Sequence, residues 1–315
     1  MRFPSASVLI ALILSSCTPR PQMLSVGDLE PPVTQVTTGR SGADRDPEIS
    51  RDGRTLYYAS TSHGERYDLY QRTVGSNTAT RLAPAGGDKR FPRVSPVNPK
   101  MLAYCSNERG SWELCLIADM ADAPATVVVL SDRGTDNLHP SWSPDGKKIV
   151  YCSTHEGLGG DWVLKVKDLE TGKTHVLEDV DGLLPDWSPV GNRIVFQRMK
   201  RRDDWLSSIW TLDFDHGAAR NVTSIFSSDD FAAINPCWSP DGLRVAFATV
   251  GKSQASGGAM SKADDLWIVS ADGMNPTRIT TSAASDWMPA WATDNRIYFI
   301  SDRTAGQRIW SLAAP

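Results

Sequence analysis

Six prolines in this chain, Pro47, Pro92, Pro140, Pro185, Pro236 and Pro289, are each preceded by side chains of the kinds that bind ligands. Ahead of them stand Arg45 and Asp46, Arg90 and Phe91, Asn137 and His139, Asp181, Asn235, and Asp286 with Trp287. Brought together, these residues would form a mostly acidic ring suited to a basic or polar peptide, or to a bridging Ca2+ held by carboxylate oxygens. An aromatic beside a charge, as Trp287 is beside Asp286, is what a binding hot spot usually contains. The same Asp residues have an ordinary alternative role, closing turns.

Catalytic constellations are harder to assemble. His63, His139, His155, His175 and His216 show no H-x-x-x-H or H-E-x-x-H spacing, so no zinc site is expected, and no resident cofactor. A serine hydrolase would need a Gly-x-Ser-x-Gly elbow and an α/β pattern to carry it, and neither is present. Carboxylates contributed by different repeats could still act on or bind a glycan. A deep cavity holding two carboxylates with raised pKa values would favour that alternative, and an open ring of hydrated ones would favour a binding surface. The expectation is a binding protein and not an enzyme.

The prolines mark repeats. Pro140-Ser141-Trp142-Ser143-Pro144-Asp145-Gly146 and Pro236-Cys237-Trp238-Ser239-Pro240-Asp241-Gly242 are near-identical and lie 96 residues apart. Weaker copies begin at Pro47, Pro92, Pro185 and Pro289, and successive copies are 45, 48, 45, 51 and 53 residues apart, a length that suits four strands and their turns. Proline at the head of a strand needs no ladder donor. The aromatic two residues on fills the space between sheets, and Pro-Asp-Gly presets one φ and permits a positive one. The motif therefore predicts a hairpin opening each repeat, with a third strand around Leu69, Leu114, Trp210, Trp267 and Trp310 and a fourth near Leu82, Val176, Val222 and Ile279. The sixth repeat ends before its fourth strand, while residues 33–38 form an alternating run ahead of the first. The expected fold is all-β, a six-bladed β-propeller with four-stranded antiparallel blades, closed by this N-terminal strand so that two sheet edges are covered.

These repeats resemble the TolB-like, WD40-like propeller family, and the resemblance covers residues 33–315. It implies the fold, the bacterial envelope and protein binding on one face. The family's Tol-Pal representative carries an α/β domain before its propeller, and no such pattern fits before Val33, so the Tol role itself is not carried over. The N-terminus fits the same compartment. Arg2 precedes an apolar run over residues 8–14, too short to span a bilayer, and Leu14-Ser15-Ser16-Cys17 is similar to the lipobox of bacterial lipoproteins. Residues 1–16 are read as a signal peptide and 17–32 as a lipidated Cys17 with a proline-rich tether. Thr18 in place of Asp points to the outer membrane, with the head facing the periplasm or the outside.

Cys105 and Cys115 flank a short turn and could pair as a disulfide, or remain two small buried thiols. A net charge of -4 without a run of like charges argues against a nucleic-acid partner. The function these observations predict is that of an envelope lipoprotein, a monomeric propeller within a larger complex. It would bind a protein or peptide as a scaffold or adaptor through the face carrying Arg90, Phe91, His139, Asp286 and Trp287.

Overall fold

A computed structural model describes residues 24–25, 31–39, 41–121, 126–131, 134–154, 162–199, 206–251, 264–304 and 306–315. The signal segment, Cys17 and all of the tether except residues 24–25 and 31–32 lie outside them. The described residues form six sheets in an all-β ring. The first strands of blades one to six are Asp44–Ile49, Lys89–Val94, Asn137–Trp142, Leu183–Trp187, Phe231–Trp238 and Asp286–Trp291. Each pairs antiparallel with the next strand in sequence, and blades one to five continue outward through their own third and fourth strands. In blade six the third strand, Gly306–Ala313, pairs instead with Val33–Gln35, in the register Val33 with Leu312 and Gln35 with Trp310. A further two-residue strand, Leu24–Ser25, runs parallel to Thr277–Arg278 at the outer edge of blade five.

The Ser-Pro-Asp-Gly turns are self-contained. Ser239 Oγ donates to Asp241 Oδ1 at 2.5 Å, which also accepts from Leu243 N, while Arg244 N donates back to Ser239 Oγ. The Ser239 hydroxyl and the Leu243 N–H hold the Asp241 carboxyl below the ordinary carboxylate range. The same net recurs at Ser50 with Asp52 and at Ser143 with Asp145. Gly242 completes its turn at φ 69°, a backbone conformation that suits glycine.

Apolar packing lies between blades. Six clusters of buried side chains each join two neighbouring blades. Trp142 fills the seam between blades two and three beside Ala103 and Leu114, and Trp238 the seam between four and five beside Val195 and Ile209. A blade therefore contributes to two clusters, one on each sheet face, because successive side chains of a strand point opposite ways. The same parity rules out the disulfide considered above. Tyr104 stands opposite Cys115 and Cys105 opposite Leu114, so the two cysteines occupy opposite faces of blade two, and both are free buried thiols.

Candidate functional site

Every first strand carries the same distortion. The residue before each anchoring proline has a positive φ: Asp46 55°, Phe91 57°, His139 56°, Leu184 47°, Asn235 53° and Met288 53°. The ladder slips there in all six blades. Proline offers no N–H to the neighbouring strand, which makes this the natural place for a bulge. Asp46, His139 and Asn235 are residue types that tolerate the left-handed region, whereas Leu184, Phe91 and Met288 hold a strained backbone. A bulge repeated six times around one axis marks a feature that the fold over-determines.

The bulges divide the central channel. At the level of the prolines there remains a cavity of only about 30 Å3, lined by Asp46, His139, Leu184, Asn235 and Met288 among others. Beyond it, toward the Ser-Pro turns, the channel widens to about 320 Å3. Arg93, Asp186 and Pro289 line both spaces and so form the partition. The wider cavity is built from the residue that follows each anchoring proline, Glu48, Arg93, Ser141, Asp186, Cys237 and Ala290, with Trp142, Trp187 and Trp291 and the turn prolines Pro96, Pro144, Pro189 and Pro240 as walls.

Three of these six are charged. Arg93 Nη1 lies 3.8 Å from Glu48 Oε2 and donates to Pro92 O at 3.0 Å. Asp186 is fixed by Ser141 Oγ, which donates to it at 2.8 Å, and by Trp238 N, also at 2.8 Å. Ser141 Oγ in turn accepts from Trp187 N. The indoles hold the backbone of the same residues: Trp142 Nε1 donates to Arg93 O at 2.9 Å and Trp238 Nε1 to Asp186 O at 3.1 Å. In blades three and five the motif tryptophan thus holds the channel residue of the preceding blade, whereas Trp187 Nε1 donates to Gly191 O of its own blade. Burial pushes the Glu48 carboxyl up to about 7, against the pull of Arg93 and with a further push from Asp186. Asp186 is also raised by burial, opposed by Arg93 and by its two donors. Burial lifts the Cys237 thiol far above its ordinary value, which makes it a poor nucleophile.

The residues read from sequence as a mouth stand at the other, narrow end, where most of them join blades. Asp46 is 2% exposed and accepts from Arg90 Nε, Arg90 Nη2 and Phe91 N, which joins blade one to blade two. The Phe91 ring packs against His139 in a tilted contact with centroids 4.0 Å apart, joining two to three. His139 Nδ1 lies 3.4 Å from Cys152 Sγ, and burial lowers the imidazole to about 3, so it is neutral. Arg45 Nε donates to Gln307 Oε1 of blade six. Asn137 is buried and donates to Thr135 O and Trp112 O. Asp286 is fully buried and accepts from Arg303 Nη2 at 2.6 Å. Trp287 packs into the seam of blades five and six, and Asn235 N donates to Gln197 Oε1 of blade four. Asp181, paired with Arg198, is the exposed one among them. No group of three or more His, Cys, Asp or Glu able to hold a metal occurs among the described residues.

Sequence reading missed Glu48, Arg93 and Asp186. Their signal was the unconstrained position inside Pro-x-Trp-Ser-Pro: within a repeat whose other positions are fixed by turn and seam, the varying residue is the one free to serve a ligand.

No family model matches the chain. Among curated proteins it is 30% identical over 201 residues to the Tol-Pal system protein TolB of Anaeromyxobacter sp. (strain K), which is 64% of this chain but 31% of the relative. The chain thus spans about a third of the length of the curated relatives it matches. Among solved structures, a putative TolB from Agrobacterium tumefaciens superposes with a TM-score of 0.64 at 17% identity, covering 92% of this chain and 100% of that one. An oligogalacturonate lyase from Vibrio parahaemolyticus gives 0.62 at 15% identity, covering 94% and 97%. At these identities the structural likeness concerns the fold, which TolB shares with propeller enzymes. The chain is a six-bladed β-propeller with TolB relatives in both sequence and fold.

Proposed function

We propose that this chain is a non-catalytic envelope protein, anchored through a lipid on Cys17 at the outer membrane, that receives an extended segment of a protein partner in the channel from the Ser-Pro turn side. The supporting observation is the asymmetry of the channel, which narrows to about 30 Å3 at the prolines and opens to about 320 Å3 toward the turns. At the wide end Val190 lines the mouth and is 60% exposed, Val97 beside Pro96 is 58% exposed, and Arg51 stands on the same rim. Largely apolar walls with a few converging polar groups are what a binding pocket usually presents.

Capture of partners from solubilised membranes tests the face. Val190→Glu, in an exposed turn where substitutions seldom change stability by more than about 0.5 kcal/mol, should lower capture about tenfold, equivalent to roughly 1.4 kcal/mol. Asp181→Ala on the narrow side should leave it unchanged, and the reverse pattern would place the site at the loops. Cys17→Ala should move the protein from the membrane fraction to the soluble one; continued membrane fractionation would remove the anchor from the proposal.

A second reading follows from Glu48 and Asp186, two carboxylates raised by burial in one cavity, the arrangement that favours glycan binding or cleavage. Against it, both Asp186 oxygens already accept hydrogen bonds, and the N–H groups of Trp142, Trp187 and Trp238 are engaged with backbone carbonyls and so not free for sugar hydroxyls.

A further inference from the structure

The floor of the cavity specifies what enters it. Its deep charged groups are the Glu48 and Asp186 carboxylates and the Arg93 guanidinium, two negative charges against one positive when all are ionised, while Arg51 lines the exposed rim, where its Nη1 lies 3.4 Å from Pro96 O. Glu48 has its nearest cationic partner at 3.8 Å, beyond hydrogen-bonding distance, and is about one-fifth exposed to the cavity. The walls are prolines and indoles, which offer a lining for methylenes and little for charge.

We infer that the channel takes a lysine side chain of the bound segment, its aliphatic stem against the prolines and indoles and its ammonium between Glu48 and Asp186. This inference rests on the reading of the channel as a segment-binding site. Lysine fits better than arginine for a geometric reason. A guanidinium is recognised by a carboxylate whose two oxygens are both free to receive its fork, whereas the Asp186 oxygens already accept from Ser141 and Trp238. An ammonium is a compact charge with three separately directed donors, able to use one remaining lone pair on each of two carboxylates.

Binding is linked to protons through Glu48. The other titratable groups around it are Arg93 and Asp186 on the floor, Arg51 at the rim, Cys237 on the wall, Tyr57 on the neighbouring strand and the neutral His139 beyond the partition. Of these, Glu48 is the group shifted to about 7. A cation binds its ionised form, so affinity rises with pH, and between pH 6 and pH 8 the ionised fraction grows by about tenfold.

The test uses the full chain and a panel of capped pentapeptides, Gly-Ser-X-Ser-Gly with X as lysine, arginine, norleucine or glutamate, followed by tryptophan fluorescence. The lysine peptide should bind at least about fivefold more tightly than the others and more tightly at pH 8 than at pH 6. Glu48→Gln should weaken it about tenfold and remove the pH dependence, with thermal unfolding recorded to confirm that the variant is folded. Equal binding of norleucine, preference for glutamate or arginine, or an unaltered pH profile in Glu48→Gln would overturn the inference. If no peptide binds while Val190→Glu still abolishes partner capture, the lysine assignment fails and the turn-side site stands. If capture depends on the loop side, both fail.

Discussion

Arg308→Met is expected to lower the unfolding free energy by about 3–5 kcal/mol, the range for removing one partner from a buried charged network. Arg308 is 1% exposed, and its guanidinium donates to Gly39 O at 2.9 and 2.7 Å, to Gly42 O at 2.6 Å and to Ser41 O at 3.2 Å, with Asp44 4.0 Å away. It lies on the third strand of blade six and grips the chain between Val33–Gln35 and the first strand of blade one, Asp44–Ile49. One side chain thus ties the closing strand to both of the blades that meet at the ring's join. Its loss removes the Arg308 donors from Gly39 O and Gly42 O, leaves Ser41 O with Ser62 Oγ alone, and leaves the buried Asp44 carboxyl without its cation. Urea unfolding followed by circular dichroism gives the difference directly. A loss below about 1 kcal/mol would mean that the hydrogen bonds of Val33–Gln35 close the ring without help.

Trp238→Ala should cost a similar amount, about 3–5 kcal/mol, the range for truncating a buried aromatic. The indole is 4% exposed, packs between blades four and five, and donates to Asp186 O. Its truncation opens a cavity and frees the backbone that carries Asp186, so the variant should also lose ligand binding in the channel while the turn at Asp241 is untouched. Trp291, the corresponding residue of blade six, is half-buried with Arg244 stacked 4.7 Å from its ring centre, and its truncation should cost distinctly less. Equal losses at Trp238 and Trp291, measured by the same unfolding experiment, would count against the seam as the main source of stability.

The blades were legible in the sequence because their signals are local. A proline without an N–H, a serine two residues before an aspartate and a glycine at positive φ each act within one turn, so six copies of the motif sufficed to count six blades. Val33–Gln35 was legible because it alternates like the fourth strands it replaces. The lining of the wide cavity was not legible, for two physical reasons. The bulge at each anchoring proline interrupts the alternation from which side-chain direction is read, so the residue after the proline, and not the residues before it, lines the wide cavity. The charges ahead of the prolines also find partners one blade away: Asp46 and Arg90 are 44 residues apart in sequence, and only the curvature of the ring brings them together. The same applies to Cys105 and Cys115, whose one-residue offset in register decides the matter and is invisible in their spacing.

On the proposed reading a partner segment enters from the Ser-Pro turn side. Photo-crosslinking in intact cells tests it most directly, with a benzophenone amino acid placed at Val190 on the turn side or at Asp181 on the loop side, both exposed. The account predicts a discrete crosslinked species from position 190 that Glu48→Gln diminishes, and none from position 181. A crosslink from position 181 alone, unaffected by Glu48→Gln, would contradict it.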